Sequence, residues 1–289
     1  MKTLVVIDFC ATLYSSIFKH TNLSYMGSFT GGVFGFLKSF SKLVTQYDAD
    51  DVIVCLDCPP YTRKEMFDGY KSKRKKDPEI TKRFEESQIY CFQLLEKLGV
   101  TVWGELGSEA DDLIYLTCRY LHERYDMIVI SCGDDDLYQC FKYPGVFLNK
   151  KTGLYGKADY EKEHEISLDD WVKFCTITGT HNDIPGIVGL GPKKAAKIIL
   201  GGKYDELYKE HKEELDLYTS LIQLPIKRYE VPEIKKVKTD LDEVRSFMES
   251  LAIQQHPAYE RAFKRLGGSR NLPSKRRLRP RTSSTSSDQ

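Results

Sequence analysis

Acidic side chains recur at one kind of place in this chain, just beyond a short apolar run. Asp8 follows Leu4-Val5-Val6-Ile7, and Asp57 follows Asp51-Val52-Ile53-Val54-Cys55-Leu56. Asp134 and Asp136 stand in Gly133-Asp134-Asp135-Asp136, shortly after Met127-Ile128-Val129-Ile130. Glu109-Ala110-Asp111-Asp112 opens a helical stretch after Gly107-Ser108, and Asp183 lies in Gly179-Thr180-His181-Asn182-Asp183-Ile184-Pro185-Gly186. Carboxylates gathered at one edge of a sheet repel each other, and in a partly buried site the repulsion raises their pKa values unless a cation neutralises them. Hard oxygen donors in this number suit Mg2+ or Mn2+. The set exceeds what one such ion needs, so two are expected. Two ions about 3.5–4 Å apart activate water and stabilise the leaving oxygen in phosphodiester hydrolysis. Each acid alone has a plainer use: Asp111 and Asp112 complement a helix N-terminus, with Ser108 as its cap. Recurrence at strand ends is what the plainer use leaves unexplained.

A site of that kind attacks a polyanion and needs cations beside it. Lys71, Lys73, Arg74, Lys75 and Lys76 follow Tyr70 directly. Lys71 and Arg74 would share a face if the segment were helical. Tyr70, or nearby Tyr61 and Phe67, could stack on a base; packing is the commoner use of such aromatics, and a solvated charge run the plainer reading of the lysines. Further on, Gly186-Ile187-Val188-Gly189-Leu190-Gly191-Pro192-Lys193-Lys194-Ala195-Ala196-Lys197-Ile198-Ile199 is a glycine-spaced turn opening a helix. Gly189 and Gly191 let backbone approach a phosphate, Pro192 suits a first helical turn, and exposed amides there bind anions, with Lys193 and Lys194 adding charge.

The elements that must position these groups alternate. The runs Leu4–Ile7, Asp51–Leu56, Val100–Trp103 and Met127–Ile130 are separated by helix-length segments over 31–47, 79–98 and 109–123. Continuous apolar strands between helices predict a parallel α/β sheet, with ligands beyond the carboxyl ends of its strands. After about residue 165 short helical stretches follow one another with Gly-Pro punctuation, which predicts a smaller helical domain to about 263. From Lys264 onward there are eight Lys or Arg, one acid and no aromatic residue, a composition that predicts a disordered basic tail.

The order and spelling of the acidic motifs resemble the 5′-nuclease superfamily: flap endonucleases, phage 5′-3′ exonucleases and the 5′-nuclease domain of bacterial DNA polymerase I. The resemblance spans about residues 3–225 and rests on Asp8 after the first strand, Glu109-Ala110-Asp111-Asp112, Asp134-x-Asp136-Leu137-Tyr138-Gln139 and the glycine string. It implies a PIN-like α/β catalytic domain over 1–164 with a helical arch at about 59–98. It further implies a helix–three-turn–helix domain over 165–263 that grips duplex backbone, often through a bound K+, and the tail at 264–289. Asp8, Asp57, Glu109, Asp111 and Asp112 match the family's first metal cluster; Asp134, Asp136 and Asp183 match the second. Tyr70, Lys71 and Arg74 match a Y-K-x-x-R pattern in which the Lys meets the scissile phosphate and the Arg lies near it. Lys73, Lys75, Lys76, Gly189, Gly191, Lys193 and Lys194 would then be DNA contacts. The implied activity is two-metal, structure-selective 5′-3′ exonuclease or flap-endonuclease cleavage by a monomer, on DNA with a 5′ end, flap or nick. One departure stands out. The family's loop reads G-D-x-x-D-N-I-P-G, whereas here Gly179 and Asn182 fall at the two Asp positions and Asp183 at the neighbouring Asn. His181 is a substitute ligand to weigh.

Three other readings compete. Ile7-Asp8-Phe9-Cys10-Ala11-Thr12-Leu13 resembles the D-x-D-G-T-L of haloacid-dehalogenase phosphatases, but Cys10 and Ala11 replace the second Asp and the Gly, and no lysine lies between Lys97 and Lys142. A PIN-type ribonuclease leaves the basic segment and glycine string unexplained. A structure-specific DNA-binding protein with a degraded second metal site follows from the missing loop acids. Composition bounds the rest. With a net charge of +1 and 41% hydrophobic residues in 289, the chain is no uniformly basic nucleic-acid coat and can bury a sizeable core. Eight cysteines with one C-x-x-C, Cys55 and Cys58, predict reduced core thiols. No stretch reads as a membrane span or signal peptide, so the expected compartment is the cytoplasm of a bacterium or a phage-infected host cell.

Overall fold

The structure, a computed structural model, describes residues 1–75, 77–234 and 239–267. Its strands are β1 (Thr3–Asp8), β2 (Ser24–Tyr25), β3 (Ser28–Phe29), β4 (Asp51–Cys55), β5 (Thr101–Trp103), β6 (Met127–Ile130), β7 (Val146–Lys150) and β8 (Gly153–Gly156). Its α-helices are α1 (Phe9–Lys19), α2 (Gly31–Gln46), α3 (Thr62–Met66), α4 (Pro78–Lys97), α5 (Ala110–Leu121) and α6 (Lys157–Glu163), then α7 (Trp171–Thr178), α8 (Pro192–Leu200), α9 (Tyr204–Glu210), α10 (Lys212–Ile222), α11 (Leu241–Ser250) and α12 (Pro257–Leu266).

Six strands form one sheet in the order β5-β4-β1-β6-β7-β8. All neighbours run parallel except β7 and β8. The first strand therefore sits in the middle, with the chain crossing to β4 on one side and to β6 on the other. That is the switch point at which doubly wound sheets open a crevice. Residues of β1 point alternately to two faces, and each face has its own core. Leu4 and Val6 join Leu113, Ile114, Tyr138, Tyr160, Trp171 and Leu221 on the face covered by α5, α6, α7 and α10. Val5 and Ile7 join Phe9, Phe36, Phe40, Leu94, Met248 and Phe263 on the face covered by α1, α2, α4, α11 and α12.

Local chemistry sets the helix starts. Asp8 caps α1 by accepting from Ala11 N at 2.8 Å, and Asp77 caps α4 ahead of Pro78 by accepting from Glu79 N at 2.8 Å. A Cβ on Gly35 of α2 would lie 2.7 Å from the Ser16 Cβ, so glycine there lets α1 and α2 pack backbone against backbone.

The helical segments after residue 165 do not pack as one unit. Helices α7 to α10 lie on one face of the sheet, while α11 and α12 return to the other, α12 against α2. Lys264 and Arg265, expected to open the basic tail, are the last turn of α12, with Arg265 on the carbonyls of Asp48 and Ala49. The remainder of that tail lies outside the described residues. All eight cysteines are free thiols. Among the described residues no helix is long and apolar enough to cross a membrane.

Candidate active site

The acids collect where the strand order predicts, at the carboxyl edge around β1. Asp8 ends β1, paired with Cys55 at the end of β4, and Asp57 follows two residues later. The Asp57 Oδ1 accepts from Ala110 N at 3.0 Å, which ties the β4 end to the start of α5 and brings Asp111 alongside. Beyond β6, Asp134 opens a 3-10 helix over Asp135–Lys142 and accepts from Asp136 N at 3.0 Å.

Electrostatics shows that these carboxylates face one another. Desolvation, then the charges of Asp57 and Asp134, push Asp8 up to about 7, against the Ala11 N–H and Lys71. Desolvation and the neighbouring Asp134, Asp8 and Asp136 hold Asp111 well above the usual carboxylate range. Asp136 is pushed up to about 6 by desolvation and Asp134, with His181, Arg63 and Lys71 opposing. Asp134 bears on all three, so it links Asp136 to the Asp8–Asp57–Asp111 group.

Three expected ligands are turned differently. Asp112 does not face the cluster: it is fully buried and takes a bidentate pair from Arg63 at 2.6 and 2.7 Å, plus the amides of Ile226 at 2.8 Å and Glu109 at 3.2 Å. Its oxygens are filled by the protein. Glu109 is held by Arg63 at 3.0 Å and the Tyr70 hydroxyl at 2.8 Å on Oε2, with the Lys71 ammonium on Oε1. Asp183 points to the basic segment, accepting from Lys73 N at 2.9 Å with the Lys73 ammonium 3.8 Å away. The 179–186 turn that carries it is closed by the Thr180–Ile184 bridge, with Asp183 at a positive φ of 62°.

The basic segment is not a helix. Residues 68–73 are turns between α3 and α4, so Lys71 and Arg74 are not set by helical spacing. Hydrogen bonds from the 179–183 loop set them instead. Lys71 N donates to Asn182 O at 2.9 Å, and Arg74 Nη2 donates to Asn182 Oδ1 at 2.8 Å. The Lys71 ammonium lies on Glu109 and over the Tyr70 ring, 5.1 Å from its centroid. Tyr70, expected to stack on a base, is only 3% exposed and serves to hold Glu109. Lys73 and Lys75 are exposed; Lys76 lies outside the described residues.

The glycine string forms an open loop from Gly186 to Gly191 leading into α8. Gly186 has φ 70°, and a Cβ on it would lie 2.4 Å from Gly179 N, so only glycine fits that turn. Gly189 and Gly191 face open space, and Lys193 is exposed on the first turn of α8. Lys194 turns back, donating to Gly189 O at 2.9 Å.

Two residues hold this arrangement: Arg63, which sequence reasoning passed over, and Asn182, which it noted only as a departure at a family Asp position. Arg63 is 3% exposed and bridges α3 to α5, and its Nε donates to Leu221 O at 2.7 Å, reaching α10. Asn182 joins the basic segment to Asp136, donating to its Oδ2 at 3.0 Å. A buried acidic pair in E-A-D-D demands a buried cation, which was the available signal for Arg63.

Comparison with known proteins gives a consistent picture. The family model described as "5′-3′ exonuclease, N-terminal resolvase-like domain" matches residues 3–165. The DNA polymerase I of Deinococcus radiodurans is 34% identical over 201 residues, which cover 68% of this chain and 20% of that protein. The chain thus spans about a fifth of that relative. A 5′-3′ exonuclease of Aquifex aeolicus is 26% identical over 295 residues, covering 92% of this chain and 99% of its own. A solved structure of the bacteriophage T5 D15 flap endonuclease, a pseudo-enzyme-product complex with DNA and metal ions, superposes with a TM-score of 0.64 at 18% identity, covering 92% of this chain and 98% of that one. At that identity the superposition speaks for the fold.

Proposed function

The chain belongs to the 5′-3′ exonuclease family, and from that premise we propose that it is a metal-dependent 5′-3′ nuclease hydrolysing phosphodiester bonds of DNA at 5′ ends, flaps or nicks. The observation that carries this reading is the gathering of Asp8, Asp57, Asp111, Asp134 and Asp136 at one sheet edge, with Lys71 beside them.

The residues fit divalent cations. Asp8, Asp111 and Asp136 repel one another without a full complement of protein cations, because Arg63 is spent on Asp112 and Glu109. Asp8, Asp57 and Asp111 would hold one ion and Asp134 and Asp136 a second, Mg2+ or Mn2+ in each case. Bound there, the pair of ions supplies a water of lowered pKa and charge stabilisation at the leaving oxygen. This chain's own residues supply the rest. Lys71 and Arg74 hold the reacting phosphate over the carboxylates, with Glu109 and Tyr70 orienting the Lys71 ammonium and Asn182 orienting Arg74. The amides and open glycines of 186–191 with Lys193 bind duplex backbone, and a K+ at that loop belongs to the same reading. The protein is read as acting in the cytoplasm as a monomer.

Product mapping on a 5′-flap and a nicked duplex tests this. With Mg2+ or Mn2+, short products from the 5′ end should appear and chelator should abolish them. One observation favours a second reading: Asn182 and Asp183 are both engaged within the protein, which would leave a structure-specific DNA-binding protein if the second site were absent. Tight binding of branched DNA with no cleavage in either metal would establish that alternative.

A further inference from the structure

The second cation position has a donor set of its own. Two residues of the 179–186 loop could have completed it beside Asp134 and Asp136, and both are engaged elsewhere. The Asn182 Nδ2 donates to Asp136 Oδ2 at 3.0 Å and its Oδ1 accepts from Arg74 at 2.8 Å, so the amide steers one Asp136 oxygen and offers no free donor atom. Asp183 faces Lys73 through both its backbone and its ammonium. His181 remains. Its Nε2 lies 3.6 Å from Asp134 Oδ2. One ring nitrogen of His181 and one oxygen each of Asp134 and Asp136 lie within 4.8 Å of one another.

Neighbouring donors about 2.1 Å from an octahedral divalent ion stand about 3.0 Å apart. The three atoms therefore need to close by up to about 1.8 Å to share one ion. His181 sits on the exposed side of its loop, with a side chain 56% exposed, so the ring is free to turn toward the carboxylates and an ion enters from solvent. Imidazole changes which ion that is. Mg2+ takes oxygen ligands and retains its waters, whereas a neutral ring nitrogen suits Mn2+ and the first-row ions that follow it in affinity.

We propose that Asp134, Asp136 and His181 form a two-carboxylate, one-imidazole cation site that selects Mn2+ and later first-row ions over Mg2+. The all-carboxylate group of Asp8, Asp57 and Asp111 makes no such distinction. The centre is thus asymmetric, with one position open to Mg2+ or Mn2+ and the other biased to transition metal. This inference rests on the metal-dependent reading of the same centre.

The test uses the full chain without DNA. Mn2+ bound to the wild-type protein should show electron spin-echo coupling to an imidazole nitrogen, and His181→Gln should lose that coupling. In calorimetric titrations His181→Ala should weaken one Mn2+ step by at least about tenfold, the lower end of what losing even an outer-shell partner does. Its Mg2+ isotherm should not move. His181→Asp should restore the weakened step and strengthen Mg2+ binding there. Absence of nitrogen coupling, or unchanged Mn2+ titration of His181→Ala, overturns the donor set, since His181 would then be only an ion-pair partner of Asp134. Asp111→Asn separates the two levels of the argument. If it weakens metal binding while His181→Ala does not, the metal centre stands and the imidazole site falls. If the wild-type chain binds neither Mn2+ nor Mg2+, both fall.

Discussion

Asp111 and Asp134 place their carboxylates among other carboxylates rather than on protein cations, and this sets what their substitution should do. Asp111→Asn keeps the shape and removes one negative charge facing a polyanion. It should reduce single-turnover cleavage by at least about 100-fold, in the range of losing a transition-state charge stabiliser, while DNA affinity holds or rises; near wild-type turnover in Mg2+ would remove Asp111 from the centre. Lys71→Ala should likewise lower the rate more than the affinity, because an interaction realised mainly in the transition state appears in rate. Equal losses in both would make Lys71 a general phosphate anchor. The same crowding gives a pH signature. Asp8 and Asp136 have folded-state pKa values raised to about 7 and about 6, above the ordinary value of 3.8. The folded chain therefore favours their neutral forms, a contribution present below about pH 4 and lost as pH rises through 6 and 7. In chelator, the melting temperature should fall between about pH 4 and 7, and the stabilisation given by added Mn2+ should grow over the same interval. A melting curve flat in pH in both conditions would show that these carboxylates do not repel.

Between residue and fold, the short helix α3 matters most for its size. It has five residues, yet Arg63 from it fastens α5 through Asp112 and Glu109 and α10 through the Leu221 carbonyl. With Arg63 and Asp112 both buried, Arg63→Met leaves Asp112 without a cation and Glu109 with Lys71 alone, and breaking such a pair by removing one partner costs about 3–5 kcal/mol. The urea midpoint should fall accordingly; a loss under about 1 kcal/mol would mean that water reaches the pair. Much at this scale was legible from pattern. Alternating apolar runs placed β1, β4, β5 and β6, and the helix-length segments between them placed α2, α4 and α5; the cap expected at Ser108 is Glu109 in the structure. The site acids at strand ends followed from the same pattern. What stayed hidden depended on who meets whom across the chain. Asp112 and Asp111 are neighbours in sequence, yet one faces Arg63 and the other the cluster, a difference set by helix phase against α3. Residues 68–73 look helical by spacing but form turns, with Lys71 N bonded to Asn182 O, more than 100 residues away. The strands β7 and β8 carry polar and glycine residues that dilute the period-two signal.

Over the whole molecule, the last described helix is a structural part of the first sheet. Phe263 of α12 is 3% exposed in the core that holds Ile7, Phe36 and Phe40, and Arg265 closes on the Asp48 and Ala49 carbonyls. Phe263→Ala should destabilise by about 3–5 kcal/mol and, if unfolding is all-or-none, should lower the melting temperature of the sheet and the site together. Measuring far-ultraviolet circular dichroism and Mn2+ protection in the same melt checks this. Two separate transitions, only one of them shifted, would show that α11 and α12 unfold independently of the catalytic sheet.

The segment carrying Lys71 to Lys75 is fixed largely by its main chain: Lys71 N to Asn182, Lys73 N to Asp183. Placement there is inherited from amides that every residue but proline possesses, while the Lys73 side chain is 86% exposed. Lys73 is therefore the interchangeable position. Its charge and reach can be rewritten while its address in the molecule stays the same, whereas Lys71 and Arg74, whose side chains meet Glu109 and Asn182, are tied to the carboxylate edge below them.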